Sequence, residues 1–134
     1  MSFPNYIYKI VPSSSPIPSP LPDKLPVSQL DQNDGFIHLS TVHQVPRTLE
    51  RFFSDHDTIY LLRVKYDGVE SLIRWESGNG SASGNPGDPD VFPHLYNDLC
   101  LGKNEVDSFR TWERDESGWK NAIESSEKDG WFVY

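Results

Sequence analysis

The stretch DGFIHLST, residues 34–41, decides how this chain folds. It opens with two residues that are typical of turns and continues as a short strand pattern. Neighbouring side chains of a strand point to opposite faces, so an aromatic ring, an imidazole and a hydroxyl share one surface while apolar residues share the other. The first surface carries Phe36, His38 and Ser40. A histidine and a hydroxyl beside an aromatic ring indicate a pocket.

The length and composition of the chain limit the number of domains and the kinds of partner that it can have. With 134 residues it has the size of one domain, and we predict a single domain over residues 1–134. The formal net charge of −8 argues against double-stranded nucleic acid as a partner, because that binding depends on Lys and Arg. No apolar run approaches the roughly 20 residues that cross a bilayer, so we expect no membrane partner.

The cysteine content and the first residues predict the cellular location. Cys100 is the single cysteine, so no intramolecular disulfide can form. The first ten residues, MSFPNYIYKI, lack the charged and apolar regions of a signal peptide. We therefore expect a cytoplasmic protein.

Secondary structure is predicted from residue type and periodicity. Strand patterns rich in β-branched and aromatic residues occupy residues 6–11, 58–66, 73–76, 91–96, 105–113 and 131–134. The 58–66 strand is apolar enough to lie inside a sheet, whereas Pro93 restricts its own strand to a sheet edge or a bulge. Apolar spacings of three and four predict helices at about 43–54 and 116–128, the first beginning with a capping box between Thr41 and Gln44.

Three segments interrupt this pattern. Residues 12–26 hold six of the eleven prolines and are predicted to form an extended connection. Residues 77–90 form a polar, glycine-rich loop that we interpret as an insertion with no packing of its own. Residues 114–134 are predicted to be a C-terminal extension that contains a helix.

The residues that could carry chemistry lie in patches that sequence spacing alone cannot join. Three candidate catalytic residues are His38, Glu76 and His94. The candidate cofactor-binding residues are Tyr8, Lys9, Ser40, Thr41, Trp75 and Tyr96. Each has a structural alternative: an imidazole in a strand is often a hydrogen-bonded core group, and a carboxylate or ammonium on a short strand is often solvated. Taken residue by residue, the structural alternative is favoured.

A metal site is a further alternative for the same residues. Two histidines and one carboxylate could ligate a metal ion. No local spacing such as HExxH supports this, so we predict no metal.

Several motifs taken together carry a family resemblance. They are YIYKI near the start, DGFIHLSTVHQVPRTLERFF, YLLRV, RWE and VFPHLY. In this order they resemble the domain of unknown function 952 family of small bacterial and fungal proteins over roughly residues 5–110. The proline-rich stretch, the glycine-rich loop and the tail after Glu113 depart from that pattern.

The resemblance implies an α+β fold similar to that of ADP-ribosyltransferases, with two short, mostly antiparallel sheets around a cleft that holds NAD. The FIHLS segment also resembles the histidine-bearing strand of RNA 2′-phosphotransferases, which implies that His38 contacts a ribose or phosphate. Lys9 would supply a charge to the pyrophosphate. Glu76, His94 or Tyr96 would lie near the nicotinamide. The ExE motif of many such transferases is not recognisable here.

The leading hypothesis is that the chain binds NAD or an ADP-ribose-like nucleotide and transfers or hydrolyses the ADP-ribosyl group. A non-catalytic module that senses a nucleotide or holds a partner is the first alternative, favoured by the absence of ExE. A small hydrolase that uses Glu76 and His94 as acid and base is the second.

Overall fold

The computed structural model describes residues 2–134, whose strands form two antiparallel sheets of three strands each. The strands are β1 (Tyr6–Pro12), β2 (Ile37–His38), β3 (Thr58–Lys65), β4 (Ile73–Ser77), β5 (Val91–Leu95) and β6 (Val106–Glu113). The first sheet has the order β1-β3-β6 and the second the order β2-β5-β4. The α+β class with two short antiparallel sheets is confirmed.

Four α-helices connect and flank these strands. They are α1 (Gln29–Asp34), α2 (Val45–Phe52), α3 (Tyr66–Val69) and α4 (Lys120–Lys128), and a 3₁₀ turn follows α3 at Glu70–Leu72. The sequence predicted α2 and α4 with longer bounds, and it missed α1 and α3. Within residues 2–134 no helix has the length and apolar character that crossing a membrane requires.

Two hydrophobic cores lie on opposite faces of β3, which is why this strand is apolar on both sides. The inner core joins residues of both sheets, among them Ile7, Leu62 and Leu95. The outer core packs the other face of the first sheet against α2 and the C-terminal region, and its members include Tyr8, Leu61, Trp112, Trp119 and Phe132. The prediction that this strand lies inside a sheet is confirmed.

The prediction that Pro93 restricts its strand to a sheet edge or a bulge is wrong, because β5 is the central strand of the second sheet. The carbonyl of Pro93 accepts a hydrogen bond from the amide of Leu39 at 3.1 Å. An N–H at position 93 would point toward the same neighbouring strand, β2. The pairing of β2 with β5 ends at His38, so the ladder does not need that donor. The short partner strand therefore makes a central proline tolerable.

Residues 131–134 also differ from prediction, since they form no strand. The Tyr8 hydroxyl donates to the Val133 carbonyl at 2.7 Å and accepts from the Val133 amide at 2.9 Å. Trp131 and Phe132 pack against the Tyr8 ring. A buried side chain thus satisfies backbone groups that a neighbouring strand would otherwise pair.

The glycine-rich loop was predicted to have no packing of its own, and this is wrong because it pairs with β4. Ser83 forms an antiparallel bridge with Glu76, and the Gly84 amide donates to the Trp75 carbonyl at 3.0 Å. The Gly80 turn has a φ of +79°, and a Cβ there would lie 3.0 Å from the Phe36 ring. The loop therefore packs against the face of the second sheet that carries the candidate site.

Candidate functional site

The second sheet places two histidines side by side. His38 of β2 is the cross-strand partner of His94 of β5, which in turn pairs with Arg74 of β4. The two imidazole centroids are 5.0 Å apart. Residues directly opposite one another on neighbouring strands share a face, so the register brings together residues 56 positions apart in sequence.

Helix α1 determines the surroundings of His38. Ser28 caps the helix by accepting from the Asp31 amide at 3.2 Å, and Gly35 ends it with a φ of +80°. The chain then turns back into β2, which sets the imidazole against the helix. Its Nδ1 lies 2.7 Å from Asp31 Oδ1, and its Nε2 lies 3.0 Å from Asp34 Oδ2. A short helix and a glycine turn thus place a carboxylate at each ring nitrogen.

Lys9 completes this cluster from the first sheet. Its Nζ donates to Asp31 Oδ2 at 2.7 Å and to the His38 carbonyl at 3.2 Å. Burial by itself would raise the pKa of the Asp31 carboxyl, but the His38 hydrogen bond and the Lys9 charge outweigh it and hold that pKa below its ordinary value. Asp31 is therefore a buried anion shared by two partners.

The charges of this cluster balance when the His38 ring is protonated on both nitrogens. Carboxylates only accept hydrogen bonds, so both contacts of His38 are hydrogen bonds when both ring nitrogens carry protons. In that form the two cations, Lys9 and His38, face the two anions, Asp31 and Asp34. Neither carboxylate is then left without a partner.

His94 lies in a different environment. Its side chain is fully buried, and its Nδ1 lies 3.0 Å from Glu76 Oε1. The same carboxylate oxygen accepts from the Tyr96 hydroxyl at 2.5 Å. Burial lowers the pKa of His94 despite the opposing effect of Glu76, so its Nδ1–H donates to the carboxylate. Burial, together with the bond to Glu76, raises the pKa of Tyr96 to about 12.

The remaining nitrogen of His94 has no partner. Within residues 2–134, Nε2 of His94 is buried without a hydrogen bond. The Phe36 ring stacks on the imidazole with centroids 4.1 Å apart and an interplanar angle of 25°. The glycine-rich loop packs on Phe36 from outside. A neutral imidazole oriented by a carboxylate is thus covered by one aromatic ring.

A cavity of about 700 Å³ opens beside His38. Its polar lining includes Lys9, Ser28, Asp31, Asp34, His38 and Ser40. The end of α2 contributes a second part, which contains Thr48, Arg51, Phe52 and Phe53. The rest of the lining is mostly apolar, and the proline-rich segment contributes part of it, including Ile17 and Leu25. A cavity of this size with a few convergent polar groups has the character of a small-molecule site.

The structure brings together most of the site residues that the sequence proposed. Lys9, His38 and Ser40 line the cavity. His94, with Glu76 and Tyr96 bonded to it, is the neighbour of His38 on the same sheet face.

Three of the proposed residues point elsewhere. Tyr8 is fully buried in the outer core. Trp75 faces away from Glu76 and donates to the Tyr66 hydroxyl at 3.1 Å. Thr41 is buried at the start of α2, where its amide donates to Gln44 Oε1 at 3.0 Å. The last contact is one half of the predicted capping box.

Sequence reasoning missed Asp31, Asp34 and Arg51. The first two lie on α1, whose signal is a Ser28-x-x-Asp31 cap followed by Gly35, but the prolines nearby made the whole region resemble a connection. Arg51 lies on the predicted α2, and only the tertiary structure shows that it reaches the cavity. Among residues 2–134, no group of three His, Cys, Asp or Glu side chains is arranged to hold a metal ion.

The fold and the site define a class: small α+β proteins with two three-stranded sheets, a cross-strand histidine pair and a neighbouring cavity. The chain belongs to the family described as "Protein of unknown function (DUF952)", whose model matches residues 22–108. This confirms the family resemblance that the motifs carry.

Solved structures of one bacterial protein are similar to this chain. The crystal structure of protein CC0527 from Caulobacter crescentus is 27% identical, with a TM-score of 0.64 over 89% of this chain and 98% of that one. A crystal structure of its double mutant gives the same values. Its solution NMR structure has a TM-score of 0.58 and the same identity over 85% and 90%. No curated protein matches the chain.

Proposed function

We propose that the chain binds NAD or an ADP-ribose-like nucleotide in the cavity beside His38, and that it transfers the ADP-ribosyl group of bound NAD to an acceptor or to water. One observation carries the proposal: a single cavity of about 700 Å³ joins the His38 cluster to an arginine and an exposed aromatic ring on α2. A nucleotide has ribose hydroxyls, phosphates and planar rings. The His38 cluster, the arginine and the aromatic ring provide a binding group for each of these in turn.

Arg51 is the group we assign to the phosphates. The sequence suggested Lys9 for this role, but the Lys9 ammonium is bound to Asp31 at 2.7 Å. Arg51 lines the cavity, is exposed and forms no ion pair within residues 2–134. Its guanidinium presents several donors that match phosphate oxygens.

Phe52 is the group we assign to a planar ring of the nucleotide. Its side chain is 62% exposed, although it is a large apolar residue on the cavity lining. Stacking of a base on an exposed aromatic face is worth about 1–3 kcal/mol and is available to any base.

His38 and Asp34 are the groups we assign to the ribose. Both ring nitrogens of His38 contact carboxylates, so His38 orients Asp34, and the Asp34 carboxylate accepts from the ribose hydroxyl groups. Asp34 also supplies negative charge where the ribose develops positive charge as nicotinamide leaves. This is the electrostatic contribution that an ADP-ribosyl transfer requires.

Thermal unfolding with NAD, ADP-ribose and nicotinamide tests binding. A ligand at a hundredfold excess over its Kd stabilises by about 2.7 kcal/mol, which raises the Tm by a few degrees. We expect this shift for wild type and its loss in Arg51→Ala. Arg47→Ala is the matched control, because Arg47 lies one turn earlier on the same helix and does not line the cavity. Absence of any shift with NAD and ADP-ribose refutes the proposal.

Nicotinamide release separates an enzyme from a sensor. We expect wild-type protein to release nicotinamide from NAD and His38→Ala to lose that activity while still unfolding cooperatively. Binding without release by wild type would instead identify the non-catalytic nucleotide-sensing module.

A small hydrolase is the second candidate function, and the unpartnered Nε2 of His94 favours it. Glu76 orients the ring through Nδ1, which leaves Nε2 as a general base toward water. Hydrolysis of 4-nitrophenyl acetate tests this candidate, with Phe36→Ala expected to increase the rate by uncovering the imidazole. Loss of activity in His94→Gln but not in His43→Gln would support it, since His43 is exposed. Equal rates in the two variants would rule it out.

A further inference from the structure

One apolar wall of the cavity comes from the proline-rich segment and from the chain beside Gly102. We call it the proline-segment wall, and it consists of Ile17, Leu25, Val27, Leu99 and Leu101. All except Val27 are members of the inner core or pack against it. The nucleotide groups assigned above leave this wall without an occupant.

The wall is fixed in place although it contains no regular structure. The Leu25 amide donates to the Leu101 carbonyl at 2.8 Å, and the Lys103 amide donates to the Pro22 carbonyl at 2.9 Å. Gly102 lies against the backbone of Asp23, so closely that a Cβ there would collide with the Asp23 carbonyl. The segment is therefore docked by backbone contacts, and its apolar side chains form a preformed surface.

The polar end of the cavity favours a neutral ligand group next to this wall. Asp31 binds Lys9, and His38 lies between Asp31 and Asp34 with one ring nitrogen at each carboxylate. An incoming ammonium would find each carboxylate already in contact with a basic side chain and would lose its hydration among apolar side chains, which costs far more than burying a hydroxyl. A hydroxyl can donate to Asp34 without disturbing these pairs.

We propose that the proline-segment wall binds the apolar body of a small alcohol or phenol, and that this compound is the acceptor of the ADP-ribosyl group. Its binding follows from the cavity alone, whereas its role as acceptor rests on the proposed function. The hydroxyl lies at the His38 end of the cavity and the aromatic or aliphatic body lies under the proline-rich segment.

The transfer step is balanced without a further reactant. The hydroxyl oxygen forms a bond to the ribose carbon that carries nicotinamide. The carbon–nitrogen bond breaks, and its electron pair leaves on nicotinamide, which departs as a neutral molecule. The hydroxyl proton passes to the Asp34 carboxylate and from there to solvent.

Calorimetric binding of two probes tests the ligand class in the absence of NAD. The probes are 1-naphthol and 1-naphthylmethylamine, which share a ring system and differ in the neutral hydroxyl and the ammonium. We expect 1-naphthol to bind at least tenfold more tightly. No binding of 1-naphthol, or equal or tighter binding of the amine, overturns the proposal.

A pair of variants tests the location. Ile17 lines the cavity, whereas Leu21 is a half-buried residue of the same segment that packs on the same core outside the cavity. We expect Ile17→Thr to weaken 1-naphthol binding about tenfold and Leu21→Thr to leave it unchanged. Matching Tm values for the two variants exclude general unfolding as the cause. Equal naphthol affinities in the two variants refute the assignment.

Nicotinamide release with 1-naphthol tests the acceptor role. We expect 1-naphthol to raise the release rate and mass spectrometry to detect a naphthyl ADP-riboside. If release occurs without that product, the acceptor assignment fails and NAD use stands. A further outcome is that NAD neither binds nor reacts, but 1-naphthol still binds more weakly to Ile17→Thr than to Leu21→Thr. The proposed function and the acceptor role then fail, and the apolar site stands.

Discussion

At the scale of single residues, Asp31 holds the cluster beside the cavity together. Its Oδ1 accepts from the His38 ring and from the His38 amide, and its Oδ2 accepts from Lys9. The side chain is 3% exposed, so its charge is compensated by these partners and hardly at all by water. Removing that charge leaves Lys9 and His38 without their buried counter-ion.

Asp31→Asn is expected to destabilise the protein by about 3 kcal/mol at neutral pH, because it breaks a buried ion-pair network while keeping the size of the side chain. Urea unfolding measures the difference. Asp67→Asn is the control, since Asp67 is exposed and forms no ion pair within residues 2–134. A loss below about 0.5 kcal/mol in Asp31→Asn would show that the cluster contributes little to stability.

The same variant has a pH dependence with a defined sign. The pKa of folded Asp31 lies below its ordinary value of 3.8, so the stabilisation is complete above pH 3.8 and is lost as the pH falls toward the lower, folded pKa. The difference between wild type and Asp31→Asn should therefore shrink as the pH falls below 3.8. Unfolding measured at several acidic pH values checks this, and a difference that grows on acidification contradicts it.

At the scale of elements, the proline-rich segment depends on contact with the chain around Gly102. Prolines remove backbone donors and prevent helix or ladder formation, so the segment has few hydrogen bonds of its own. Its position comes from the bonds to Leu101 and Lys103 and from the missing Cβ at Gly102. The apolar wall of the cavity consequently depends on these backbone contacts around Gly102.

Gly102→Ala is expected to destabilise the protein by about 1–3 kcal/mol and to loosen the proline-rich segment, because the new methyl group collides with the Asp23 backbone. Trypsin cleavage after Lys24, an exposed residue of this segment, should become faster. Gly68→Ala provides the comparison, since a Cβ there meets no atom within 4 Å. Cleavage rates that are equal in the two variants would show that the segment is not held at Gly102.

At the scale of the whole molecule, the C-terminal residues close the outer core against the first strand. Phe132 is 3% exposed, and its ring lies 5.0 Å from that of Tyr8 and 5.1 Å from that of Trp112. The Tyr8 hydroxyl binds the Val133 backbone as well. The two ends of the chain are thus joined through one aromatic cluster.

Phe132→Ala is expected to lower the free energy of unfolding by about 4 kcal/mol, because it opens a cavity among buried rings. Chemical denaturation measures the loss. Phe52→Ala should cost less than about 1 kcal/mol, since that ring is 62% exposed, yet it should weaken nucleotide binding. Similar losses for the two variants would show that the C-terminal segment is not part of the core.

Local chemistry made much of the fold predictable. The strand patterns at 6–11, 58–66, 73–76 and 91–96 correspond to β1, β3, β4 and β5. Runs of β-branched and aromatic residues favour strands in most contexts, so these elements could be predicted. Helix α1 was missed because its six residues follow a proline-rich stretch, and its stability comes from packing and caps rather than from periodicity. Residues 131–134 resemble a strand in composition but bind to a tyrosine instead.

The family, the main strands, and the alternation that puts Phe36 and His38 on one face could be predicted from residue order, since these depend on local pattern. The contact of His38 with His94, the binding of Asp31 and Asp34 to the His38 ring, and the reach of Arg51 to the cavity arise only when the chain is folded. Those contacts depend on strand register and on the docking of α1 and α2. Register and docking are set by the fit of the two cores, which joins residues far apart in sequence and leaves no short-range signal.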